Sequence, residues 1–269
     1  MRSRAGPAAL VLVAALAGCA RTPAEPVTHV AVVTDRSNSI VRGDGSACRA
    51  VRRLVQLAVR REGPFAGTHV TGGLSRIRIF GTPDARTPGV PRTLLDAFRV
   101  PSMPAGFEAV EHKRRRHEQE VQAALERVHA ACLRYATQEN ASPVYAAVKA
   151  AADWLHTEIS ADPAAEGLLV IQSDLVETHE RPVAAAVRAI ARGERPPAPE
   201  ALRPAYGIDL RGRIGVFVCG VGLGTDVQQE AARARIVALW REAILLHPRT
   251  WRVESTCPGY DGRGVGGDR

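Results

Sequence analysis

Asp35, Ser37 and Ser39 stand at alternate positions in Asp35-Arg36-Ser37-Asn38-Ser39. In an extended loop this spacing can turn one carboxylate and two hydroxyls the same way. All three are hard oxygen donors, suited to a magnesium-like cation that keeps several waters. Two more such donors lie downstream. Ser142 precedes Pro143 where a helical pattern opens, and Asp174 follows the apolar run GLLVIQS at 167–173. Small polar residues also fill loops as Asx or ST turns, so the pattern gains meaning only from the elements that carry it.

Those elements alternate. Apolar, β-branched runs at 29–34, 167–173 and 213–221 read as buried strands. Alternation at 74–80 and a weaker run at 94–100 read as two more, joined by a Gly/Thr/Pro-rich stretch that could close an antiparallel pair. A short strand is expected at 250–253. Helical spacing is expected over 47–61, 106–136, 143–157, 181–192 and 226–246. Ser142-Pro143 carries a helix start signal, a hydroxyl followed by Pro at the first helical position. The Pro-rich stretch 194–206 reads as an exposed loop. Strands alternating with helices predict an α/β fold. The expected form is a doubly wound, mostly parallel central sheet with helices on both faces and one antiparallel edge strand. In such folds ligands bind at the carboxyl ends of the strands, which puts Asp35, Asp174 and the turn Gly220-Val221-Gly222 on one rim.

Together the three segments resemble the metal-ion-dependent adhesion site of the von Willebrand factor type A (vWA) domain. Asp35-x-Ser37-x-Ser39 is similar to its first motif. Ser142-Pro-Val-Tyr-Ala-Ala-Val is similar to its Thr-Pro-helix segment, and Asp174 stands where the family has an Asp after an apolar strand ending in Ser or Thr. The run 216–222 is similar to its fifth strand. The resemblance covers about 28–255. It implies that Asp35, Ser37, Ser39, Ser142 and Asp174 bind Mg2+ (or Mn2+ or Ca2+), directly or through water. It also implies that a protein partner presenting an acidic residue fills the open coordination position. Two residues depart from the family pattern. Ser142 replaces Thr, and Leu175 replaces Gly, which is expected to narrow the rim beside Asp174.

Other chemistries fit less well. Gly67-Thr-His69-Val-Thr-Gly72 resembles the His motif of subtilisin-like proteases, with Asp35 at a suitable separation. The serine motif those enzymes need is matched only by Gly224-Thr225-Asp226, without the nucleophile. No enzyme is therefore expected, and His69 reads as a turn residue. Gly220-Val-Gly222-Leu-Gly224 lacks both the Lys-Ser/Thr of a phosphate loop and the dinucleotide glycine spacing. Glu177, His179 and Glu180, just past Asp174, could support the metal ligands or touch a partner, but read first as the solvated start of a helix.

The N-terminus carries an address. Arg2 and Arg4 precede an apolar stretch at 8–17, too short to span a bilayer, which ends in Leu16-Ala17-Gly18-Cys19. This resembles the lipobox of bacterial lipoproteins. The resemblance implies a removed signal at 1–18, a lipidated Cys19, and a cell-envelope location anchored in a membrane. In a cell with two membranes, Ala20 rather than Asp favours the outer membrane, with the domain facing the periplasm or the cell surface. Residues 19–28 read as lipidated Cys and tether, 29–255 as the domain and 256–269 as a flexible tail.

The chain is 269 residues with a formal charge of +8, which falls to +6 once Arg2 and Arg4 are removed. Of the 36 basic residues only Lys113 and Lys149 are lysines, and most arginines are scattered among acids. The dense run Lys113-Arg114-Arg115-Arg116 is flanked by acids at spacings that suit a salt-bridged exposed helix, which a lipid anchor would hold near anionic headgroups. Aromatics are only 4% of the chain, which together with the exported address argues against nucleic acid as a partner. No small-molecule substrate is expected. Cys48, Cys132, Cys219 and Cys257 permit disulfides in an exported protein, with three connectivities open. Cys219, within an apolar run, also suits a buried free thiol.

Overall fold

The computed structural model describes residues 26–35, 45–83, 87, 89–107, 109–135, 142–221 and 230–260. The signal segment, Cys19, Ser37 and Ser39 lie outside the described residues.

The run THVAVVT forms β1 (Thr28–Thr34), buried at every position. α1 (Ser46–Arg60) turns Ala47, Val51, Leu54, Val55 and Ala58 inward. β2 (Arg76–Gly81) and β3 (Arg92–Arg99) follow, then α2 (Val110–Tyr135) and α3 (Val144–Ser160). The second half runs β4 (Glu166–Gln172), α4 (Arg181–Ala191), α5 (Pro199–Tyr206), β5 (Ile208–Asp209) and β6 (Ile214–Cys219). It ends with α6 (Glu230–Leu239), a π-helical turn Trp240–Ile244, β7 (Leu245–Leu246) and β8 (Trp251–Glu254).

Six strands form one sheet in the order β3-β2-β1-β4-β6-β8. Every neighbouring pair is parallel except β2–β3 at the edge. The chain is therefore α/β, with a mostly parallel, doubly wound sheet. Successive side chains of a strand leave opposite faces, so each central strand feeds two cores. Ala31, Val33, Leu169, Ile171, Val216 and Val218 join α3, α4, α6 and Trp240 in one. Val30, Val32, Ile77, Ile79, Val170 and Phe217 join α1 and α2 in the other.

Three expectations are corrected. The stretch read as a loop at 194–206 contains α5; Pro199 occupies its first turn, where the missing N–H takes nothing from the helix. The helix expected over 226–246 covers only 230–239 among the described residues, then widens into the π-helical turn and ends in β7, which pairs with β5. Cys219 is no free thiol: it bonds Cys257, and Cys48 bonds Cys132. Cys257 is buried, so the packing continues past residue 255. Among the described residues no helix is long and apolar enough to cross a membrane.

Candidate functional site

β1 and β4 are neighbours in register, with Thr34 opposite Gln172. The Thr34 hydroxyl donates to Gln172 Oε1 at 2.9 Å, and the Asp35 N–H donates to the Gln172 carbonyl at 2.9 Å. The pairing thus carries Asp35 just beyond the carboxyl end of β1, alongside Ser173 and Asp174 beyond β4.

Asp35 is fully buried and accepts two hydroxyl hydrogen bonds. Ser142 Oγ donates to Oδ1 at 2.7 Å, and Ser173 Oγ donates to Oδ2 at 2.8 Å. Two residues far apart in the chain, 35 and 142, therefore meet at the rim. Asp174 is also buried, and its Oδ1 accepts the Val176 N–H at 2.9 Å, closing an Asx turn. The structure brings Asp35 and Ser142 together and sets Asp174 one residue beyond Asp35's other partner. Ser37 and Ser39 lie outside the described residues.

Ser142 was expected to start α3, yet its hydroxyl goes to Asp35 and α3 begins only at Val144. The cap comes from elsewhere. Glu177 is buried, and its Oε2 accepts the Tyr145 N–H at 2.7 Å in the first turn of α3. Its Oε1 accepts the N–H groups of His179 at 2.6 Å and Glu180 at 3.1 Å, ahead of α4. Burial pushes the Glu177 carboxyl above the usual carboxylate range, against the pull of these three N–H bonds. The solvated reading of Glu177 is thus corrected. Its neighbour Thr178 fastens Ser142: Thr178 Oγ1 accepts the Ser142 N–H at 2.7 Å, and the Thr178 N–H donates to the Ser142 carbonyl at 3.2 Å.

Leu175 does not behave as expected from its place in the pattern. Its φ is 61°, in the left-handed region that suits glycine, yet its side chain is fully buried within the α3–α4–α6 core. Trp240 Nε1 donates to its carbonyl at 3.0 Å and holds the turn. Ser173 is the functional candidate that sequence reasoning passed over; it was visible only as the polar end of an apolar strand.

The donors at this rim are carboxylate and hydroxyl oxygens, the set a hard divalent cation takes. Among the described residues no group of three His, Cys, Asp or Glu could hold a metal ion, and the oxygen donors seen at this rim are the hydroxyls of Ser142 and Ser173 and the carboxyls of Asp35 and Asp174. The residues present fit a magnesium-like ion. A cleft of 390 Å³ lined by Thr28, Gly67, Gly167, Gly215 and Trp251 opens at the opposite ends of the strands and includes none of these residues.

His69 and Asp35 cannot act together. His69 exchanges backbone and side-chain bonds with Thr28 at the start of β1. Asp35 follows the other end of this 7-residue strand, about 20 Å away at ~3.3 Å per residue.

No family model matches the chain, and no curated protein matches it. Among solved structures, proximal thread matrix protein 1 from the mussel byssus is similar over 86% of this chain, at 9% identity and a TM-score of 0.42. The chain spans 44% of that protein chain's length.

Proposed function

We propose that this chain is a membrane-anchored vWA-like lipoprotein that binds a protein partner through a divalent cation at the rim. One observation carries the reading: Ser142 Oγ meets the buried Asp35 carboxylate at 2.7 Å, at the carboxyl end of the strand that bears the first motif. The meeting of Asp35 with Ser142, and the place of Asp174 beyond β4, support the ligand set that the resemblance implies. Asp35, Ser142 and Asp174 would hold the cation, together with Ser37 and Ser39, which follow Asp35 in the sequence. Ser173 orients Asp35 through Oδ2. When bound, the cation supplies a position for a carboxylate oxygen from the partner. Two protein carboxylates balance its formal charge of +2, so the partner's acid binds as one more hard oxygen ligand at the open position. Lipidation of Cys19 would place the domain at the cell envelope.

Thermal unfolding of the full-length chain with and without magnesium or manganese tests this reading. A ligand that binds only the native state raises the midpoint, and Asp35→Ala is expected to abolish the rise. A wild-type chain with no rise at millimolar metal would leave a metal-independent interaction scaffold as the better reading.

A further inference from the structure

We propose that the head of α2 and the two loops beside it form a docking surface for an anionic phospholipid bilayer. The pairing of α1 with α2 sets the geometry. The Cys48–Cys132 disulfide ties the start of α1 to the end of α2. Further down, Arg52 pairs with Glu126 at 2.8 Å and Arg60 with Glu118 at 2.6 Å. Arg60 is the last residue of α1, whereas α2 begins at Val110. At 1.5 Å per residue, the segment before Glu118 carries α2 about 12 Å past the end of α1.

That projecting segment holds Val110, which is 80% exposed, and the run Lys113-Arg114-Arg115-Arg116. Across 108–117 these four cations outnumber the acids Glu108 and Glu111, and Glu111 pairs with Arg115 at 3.2 Å. The Lys113 ammonium donates to the Gly106 carbonyl and fastens the preceding loop to the helix head. The loop exposes Met103 at 54% and Phe107 in full. The neighbouring turn is joined to it where the Gly73 N–H donates to the Val100 carbonyl at 2.8 Å, and it exposes Leu74 at 59%. Uncovered apolar tips beside cations match an interfacial site: the tips enter the acyl boundary while the charges stay among anionic headgroups.

The path of the chain favours the same occupant. The loop leaves β3 after Arg99, which is paired with Arg76, and the Arg76 N–H donates to Nδ1 of His29 near the start of β1. The apolar loop and the start of β1 thus share one end of the sheet, two strand spacings or about 10 Å apart. Residues 19–28 span at most about 30 Å, so an anchor at Cys19 holds this end toward the bilayer. The rim with Asp35 is at the other end and faces away from the membrane. The anchor supplies proximity only and rests on the proposed lipidation; the apolar tips and cations supply the contact without it.

Hydrogen–deuterium exchange of the full-length chain tests the surface. Peptides covering 101–117 are followed with phosphatidylcholine vesicles and with vesicles that also contain phosphatidylglycerol. Protection is expected on the anionic vesicles only, in chelator as well as in magnesium. Phe107→Ser combined with Val110→Ser should remove it, and Arg114→Ser should lower partitioning about fivefold. Three results overturn the proposal: no protection of 101–117, equal protection on neutral vesicles, or vesicle-free protection that grows with protein concentration, which marks a second copy as the occupant. The mass of the N-terminal peptide decides the anchor separately. Unmodified Cys19 with anionic protection intact removes the anchor and supports the surface.

Discussion

Ser142 and Thr178 hold each other by two hydrogen bonds, one from the Ser142 N–H to Thr178 Oγ1 at 2.7 Å and one from the Thr178 N–H to the Ser142 carbonyl at 3.2 Å. This clasp joins the start of α3 to the segment after β4. It fixes the Ser142 backbone, so the hydroxyl can face Asp35 while Glu177 accepts the Tyr145 N–H at the first turn of α3.

Thr178→Val removes the acceptor and keeps the shape. The Ser142 N–H is then left without its partner, which costs about 1–3 kcal/mol when the group is shielded from water. The urea midpoint should fall with an unchanged slope. The metal-induced rise in thermal midpoint should shrink as well, since the Ser142 hydroxyl loses its fixed position.

Leu175→Gly sets two effects against each other. Relief of the left-handed backbone gains about 1 kcal/mol, while loss of a fully buried leucine costs about 2–5 kcal/mol. Packing wins, so the variant should be less stable than wild type in urea unfolding.

These residues also mark where sequence reading stops. The strands and most helices were legible because their apolar spacing is dense: β1, β4 and β6 are uninterrupted runs, and α1 turns one clean stripe inward. Asp35, Ser142 and Asp174 were legible as oxygen donors next to those elements. Glu177 was not, because its burial depends on two helix starts converging on one side chain. Ser142 read as a cap for the same reason: nothing local says that Asp35 claims its hydroxyl. α5 was hidden by composition, since Pro199 and Pro204 suggest a loop until Pro199 is placed in a first turn. Cys219 sits within an apolar run that suits a free thiol equally well, and only the return of the chain after β8 brings Cys257 to it.

The disulfides should contribute strongly to stability. They join residues with sequence separations of 84 and 38. The chain-entropy model gives about 4.5 and about 4 kcal/mol for loops of those lengths. Cys219→Ser with Cys257→Ser is expected to lower the thermal midpoint by roughly 10 °C, and reduction of both bonds in wild type by more. Calorimetry with and without reductant checks this.

His29 makes stability depend on pH. Burial holds its imidazole below the usual value of 6.5, with the Glu158 charge pulling the other way, and its Nδ1 accepts the Arg76 N–H. The folded chain thus binds the proton less readily than the unfolded one. This contribution is full above about pH 6.5 and is lost as pH falls toward the lowered folded value. Thermal midpoints measured from about pH 7.5 down to 5.5 should decline in wild type, and His29→Asn, which keeps an acceptor without titrating, should flatten that part of the decline.

In the proposed site Asp35, Ser142 and Asp174 hold one divalent cation. Electron paramagnetic resonance of manganese titrated into the full-length chain tests it most directly, because bound and free manganese give distinct signals. A saturable bound fraction is expected in wild type, a weakened one in Ser142→Ala, and none in Asp35→Ala. Wild type without bound manganese at millimolar metal, or Asp35→Ala binding it as well as wild type does, would rule out a cation at Asp35.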